Sequence, residues 1–170
     1  RQPGLAYRPF PCAFARKSTR ILCRRQTRQI EEENQHMSTP FRTPIHLRWS
    51  DLDAFNHINN ARYLTFLEQA RIEWFATIGE DWVTDTAAPV VASATLHFKR
   101  PIEYPADVFV ELFTERLGTT SVVIGHRIVA ADGTLHCDGN VVAVWVERRS
   151  GKPTPLPPAV RRASERIQTV

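Results

Sequence analysis

Hydrophobic and polar positions along the chain follow two periods. Apolar and polar residues alternate through Ile45–Ser50 (IHLRWS), which predicts a first strand, and Asp51–Asn56 then reads as a loop. From Asn59 to Ile78 the apolar residues Tyr63, Leu64, Phe66, Leu67, Ala70, Trp74, Phe75 and Ile78 recur at spacings of three and four, which predicts one long helix. They cover more than one stripe, so this helix is expected to be embraced by a sheet. Asn59 or Asn60 is placed to cap its start, and Gly79 to stop it. Four strand-like runs follow: Val90–Phe98, Val108–Leu117, Ser121–Ala130 and Leu135–Glu147, with Asp132-Gly133 as a hairpin signal. Pro153, Pro155, Pro157 and Pro158 mark an extended tail, and residues 157–170 read as exposed, with a short helix over Ala159–Val170. One strand, one long helix and four consecutive strands predict an α+β domain over 41–156. Its antiparallel sheet of about five strands would wrap around the helix. The two edges of such an open sheet invite pairing, so a homodimer or homotetramer is expected.

Composition narrows the class. The 170 residues are 42% hydrophobic and 24% charged, as in ordinary soluble domains. The formal net charge of +4 is unevenly placed, because residues 1–36 hold eight Lys/Arg against three acids. The remainder is nearly neutral and offers no basic surplus for nucleic acid or an anionic membrane. No apolar run reaches the length of a membrane span. Cys12 and Cys23 lie in the basic segment and leave Cys137 alone in the body, which excludes a disulfide framework or a cysteine metal cluster there and fits the cytoplasm. His46, His97, His126 and His136 stand singly on strands without metal-ligand spacing.

Residues 1–36 have no sustained hydrophobic period and read as disordered. Three readings stay open: a basic arm for nucleic acid, an organellar transit peptide, or sequence upstream of a true start at Met37. The third is favoured. Met37 is the only methionine, and Glu31–Glu33 can be encoded by a purine run where a bacterial ribosome-binding site would sit.

The chemistry-bearing stretch is Arg48–Tyr63 (RWSDLDAFNHINNARY). It puts two carboxylates, a histidine and three asparagines in the turn that feeds the long helix. A helix N-terminus presents unpaired N–H groups and a positive dipole end, which can hold an oxyanion. A carboxylate beside it can serve as base or nucleophile toward a carbonyl. Asp51 and Asp53 also have a plainer reading as caps or charge complements of the helix start.

The motif W-S-D-L-D…H-I-N-N-x-x-Y, continued by H-F-K-R-P-I-E-Y-P-A-D, resembles the 4-hydroxybenzoyl-CoA thioesterase-like hot-dog family, and also the D-x-N-x-H-V-N-N-x-x-Y segment of plant acyl-ACP thioesterases. The resemblance implies the hot-dog fold and hydrolysis of an acyl-CoA thioester without metal or redox cofactor. It implies Asp53 as the catalytic carboxylate, the Asn60 N–H as the group polarising the carbonyl, and His57 as the histidine of the acyl-ACP motif. Lys99 and Arg100 would meet CoA phosphates, with a solvated strand end as the plainer reading. Asn59 and Tyr63, a cap and a core position by their pattern, border the expected substrate site. Two departures stand out: Asn56 occupies a position where CoA-type relatives carry Gly, and Phe55 one where the acyl-ACP motif has a catalytic Asn. An acyl-ACP thioesterase and a non-catalytic acyl-CoA-binding regulator are the competing readings.

Overall fold

Five strands form one antiparallel sheet in the order β1-β3-β4-β5-β2. They are β1 (Phe41–Ile45), β2 (Ala87–Phe98), β3 (Val108–Leu117), β4 (Ser121–Ala130) and β5 (Leu135–Glu147). The long helix α1 (Asn60–Ala76) lies on one face, and a second helix, α2 (Pro158–Arg166), follows the sheet. This computed structural model describes residues 39–79 and 82–168, so the expectations for residues 1–36 fall outside the described residues. Among the described residues no helix is long and apolar enough to cross a membrane.

The core forms where alternate strand positions meet α1. Val108, Val110 and Leu112 on β3, Val122, Ile124 and Ile128 on β4, and Cys137, Val141 and Trp145 on β5 are all buried. They enclose Tyr63, Leu67, Ala70 and Trp74 from the helix. At the far end of α1, Phe75 stacks on Trp82 and meets Trp145 edge-on, while the Trp145 indole N–H donates to the Trp82 carbonyl at 3.0 Å. Gly79, with φ +71°, takes the left-handed turn that ends the helical segment. The sheet covers α1 on one side only: Leu64 and Ile72 are 46% and 44% exposed.

Two elements differ from the sequence expectation. The first strand is Phe41–Ile45, and the predicted Ile45–Ser50 strand is instead a link ending in a 3-10 turn at Trp49–Asp51. Alternation there does not mark a buried face, since Trp49 is 79% exposed. Pro44 does not prevent the true strand, because β1 is an edge strand paired only with β3. The C-terminal segment is not an exposed tail. Leu156, Ala159, Val160, Ser164 and Ile167 are buried, and the Thr114 N–H donates to the Ile167 carbonyl at 2.9 Å. The packed body therefore runs past Leu156 to the end of α2.

A titratable imidazole lies within the helix-facing core. His126 on β4 is 1% exposed, and its Nε2 has no hydrogen-bond partner among the described residues. Burial first, then the charge of Arg71, bring its pKa down to about 4, with Asp138 and the Thr95 carbonyl pulling the other way. The unfolded chain, with an ordinary value of about 6.5, takes up the proton first. Stability is thus whole above about pH 6.5 and declines as pH falls toward 4. Urea unfolding should show a loss of about 2 kcal/mol between pH 7 and pH 5 that His126→Gln largely removes. An unchanged pH dependence in that variant would contradict this assignment.

Candidate active site

The loop between the 3-10 turn and α1 is closed by its own backbone. Leu52 and Ile58 pair as an isolated bridge, and the Asp53 N–H donates to the His57 carbonyl at 2.7 Å. Within this tight loop, Asp53 Oδ1 accepts the N–H groups of Phe55 (2.8 Å) and His57 (3.1 Å). Asp53 Oδ2 has no partner among the described residues. One carboxylate oxygen thus fixes the side chain while the other is available to a ligand. Asn56 turns the chain with φ +62°, the left-handed region that Asn enters more readily than most residues and Gly most readily of all.

Two further ties fix the loop. The Ile58 N–H donates to the Ile102 carbonyl at 2.9 Å, which anchors it to the segment after β2. The Asn59 N–H donates to the Asp51 carbonyl at 2.9 Å, which anchors it to the 3-10 turn. Asn59 is the cap of α1: its side-chain oxygen accepts from the Ala61 N–H at 3.0 Å, and its carbonyl accepts from the Arg62 N–H at 2.8 Å. Asn60, the first helical residue, keeps an N–H with no intrahelical acceptor, at the positive end of α1.

A cleft of about 330 Å³ opens beside this turn, lined by Asp53, His57, Ile58, Asn60, Tyr63, Phe98, Lys99, Arg100 and Pro101. Six of the seven residues singled out in the sequence are therefore brought together. Asn59 is not among the lining residues; its backbone N–H, carbonyl and side-chain oxygen are engaged in the cap and the tie to the 3-10 turn. Tyr63 forms the inner wall, its ring edge-on to Phe98 at 5.0 Å, and burial raises its phenol pKa. Lys99 Nζ pairs with Asp138 at 3.2 Å, and His97 shares that carboxylate at 3.1 Å. No carboxylate pairs with Arg100 among the described residues. His57 Nε2 lies 4.0 Å from Glu103 at the mouth of the cleft.

Sequence reasoning missed Phe98, Ile58 and Pro101 as cleft walls. Alternation along β2 carried the Phe98 signal: it pairs with buried Cys137 and so shares the helix-facing side of the sheet. Two other cavities, of about 250 and 290 Å³, lie against β1 and α2 respectively, and neither includes Asp53 or Asn60. Among the described residues no group of His, Cys, Asp and Glu is arranged to hold a metal ion.

A model of the thioesterase-like superfamily matches residues 47–164. The chain belongs to that superfamily. It is 30% identical to the acyl-CoA thioester hydrolase YbgC of Escherichia coli, over 72% of this chain and 94% of YbgC. The PA2801 protein of Pseudomonas aeruginosa superposes with a TM-score of 0.69 at 35% identity, covering 74% of this chain and 98% of that one. A Thermus thermophilus thioesterase, solved with coenzyme A and zinc, gives a TM-score of 0.65 at 35% identity, covering 77% of this chain and 96% of its own. The fold is thus the hot-dog arrangement expected from the motif, and the match runs into α2, which agrees with the extended packed body.

The turn geometry has a direct test. Asn56→Gly should leave thermal stability and cleft integrity unchanged. Asn56→Val, forced to φ near +60°, should lose about 1–2 kcal/mol. Equal melting behaviour of the two variants would show that the left-handed turn is not a constraint here.

Proposed function

We propose that this protein hydrolyses an acyl-CoA thioester to a free carboxylic acid and CoA. The observation that carries the reading is the shared cleft. It holds a carboxylate with one unpaired oxygen (Asp53), an unpaired helix-start N–H (Asn60) and two cations (Lys99, Arg100). The thioester carbonyl oxygen points to the Asn60 N–H, where the helix end stabilises the negative charge that develops on it. Asp53 either takes a proton from water as the water attacks the carbonyl carbon, or attacks that carbon itself to give an anhydride that water then opens. In both routes the C–S bond breaks, the thiolate leaves and is protonated to CoA, and the acyl group gains a water oxygen. Lys99 and Arg100 border the CoA end and meet its phosphates. His57 contributes its backbone N–H to Asp53 and its ring to the mouth of the cleft. Residues of the chain and water supply every step, without a metal or redox group. A cytoplasmic setting is part of the same proposal.

We further propose a homo-oligomer, at least a dimer, formed through β2. This 12-residue strand pairs with β5 on one side only. Its helix-facing Val91 and Phe98 are 51% and 50% exposed, as is Leu64 on the neighbouring flank of α1 at 46%. An apolar flank beside an open strand edge is completed by the same flank of a second copy. Sedimentation should give a species of at least twice the 19.4 kDa chain; a stable monomer would contradict this.

Free-thiol release from short, long and aromatic acyl-CoAs tests the activity. Asp53→Asn should melt like the parent and release thiol about 10²–10⁴-fold more slowly. Near-parental turnover in the variant would refute the role of Asp53. Release from acyl-carrier protein but from no acyl-CoA would replace the substrate class.

A further inference from the structure

Asp51 is the one carboxylate of the loop that the proposed chemistry leaves unused, and its side chain is fully buried at 0% exposure. Arg48 donates its backbone N–H to Asp51 Oδ2 at 2.9 Å and sets its guanidinium Nε 3.4 Å from the same oxygen. On the other side Arg62 Nε lies 3.4 Å from Oδ1, an ion pair by distance but without hydrogen-bond geometry, so Oδ1 has no hydrogen bond. The Asp51 carbonyl accepts the Asn59 N–H. A carboxylate withdrawn from water persists only where its charge is used. Here the use follows from α1 itself. Its first turn holds no acidic residue, and Arg62 stands in that turn, where a cation opposes the helix dipole. The negative charge that the helix start lacks in its own sequence arrives from Asp51.

We infer that Asp51 is a positioning residue for the proposed thioester hydrolysis, clamping the first turn of α1 against the Asp53 loop through Arg62 and Arg48. Asp51 is two residues before Asp53 in the chain, and Arg62 two residues after Asn60, so the pair brackets the two reacting groups. Two residues along an α-helix turn the side chain by about 200°, which sends Arg62 away from the side that Asn60 presents to the cleft. Arg62 is accordingly absent from the cleft lining. The clamp thus grips the helix start from behind and fixes the separation of the Asp53 carboxylate and the Asn60 N–H. An oxyanion donor works only at about 2.7–3.1 Å, and a misplacement of about 1 Å can cost about 10²-fold in rate.

The inference rests on the thioesterase reading, so its test has one readout that needs no turnover. Asp51→Asn, Arg62→Gln, Arg62→Lys and the double variant Asp51→Asn/Arg62→Gln are compared with the parent chain. Steady-state thiol release should show kcat lowered about 10- to 100-fold in Asp51→Asn and Arg62→Gln, with KM within about twofold. The double variant should be no slower than the slower single one, and Arg62→Lys should recover part of the loss. Amide exchange at Asn59, bonded to the Asp51 carbonyl, and at Ala61, bonded to the Asn59 side chain, should accelerate in Arg62→Gln while the amides of β3 and β4 keep their protection. The partly exposed Arg62 keeps the test available if Asp51→Asn fails to fold. If kcat stays within twofold in the folded variants, or if exchange at Asn59 and Ala61 does not change, the clamp is overturned. A parent chain that releases no thiol refutes the thioesterase reading alone, and the exchange result still decides the clamp.

Discussion

The first turn of α1 contains backbone N–H groups that the helix cannot satisfy, and the surrounding structure is arranged to answer all but one of them. Asn59 supplies its side-chain oxygen to Ala61 and its carbonyl to Arg62, and its own N–H reaches the Asp51 carbonyl. The preceding N–H, from Ile58, reaches Ile102 beyond the end of β2. Asn60 alone is left facing a cleft that also holds the Asp53 carboxylate. A single unsatisfied donor in an otherwise satisfied turn is a site waiting for an acceptor, and the sheet, the loop and the 3-10 turn converge on this one position.

The rest of the fold serves that turn. Tyr63, Leu67, Ala70 and Trp74 seat α1 on the sheet, and the aromatic group of Phe75, Trp82 and Trp145 holds its far end, so the near end is delivered to the cleft on a rigid element. The sheet end after β2 brings Phe98, Lys99, Arg100 and Pro101 to the opposite wall. One flank of the helix remains uncovered beside the edge strand β2.

Much of this was legible in the sequence. The period of α1, the four consecutive strands and the motif around Asp53 each rest on local residue order, which is what a sequence displays directly. The errors have physical causes. The link after Ile45 alternates in polarity without burying a face, and Pro44 masks a true edge strand that tolerates it. Across α2 and its C-cap, Val160, Ala163 and Ile167 recur at helical spacing, but the prolines before them and the arginines among them suggested an exposed tail. Asp51 and Lys99 show a different limit: a carboxylate that compensates an arginine eleven positions away, or a lysine paired with Asp138 across a strand, depends on contacts that only the fold creates.

A crystal structure of the Asp53→Asn variant bound to an intact acyl-CoA would show which donor meets the thioester carbonyl. The thioester carbonyl oxygen should lie about 2.7–3.1 Å from the Asn60 amide nitrogen, with the substituted side chain facing the carbonyl carbon and the CoA phosphates toward Lys99 and Arg100. A thioester bound elsewhere, with the Asn60 N–H still unoccupied, would contradict it.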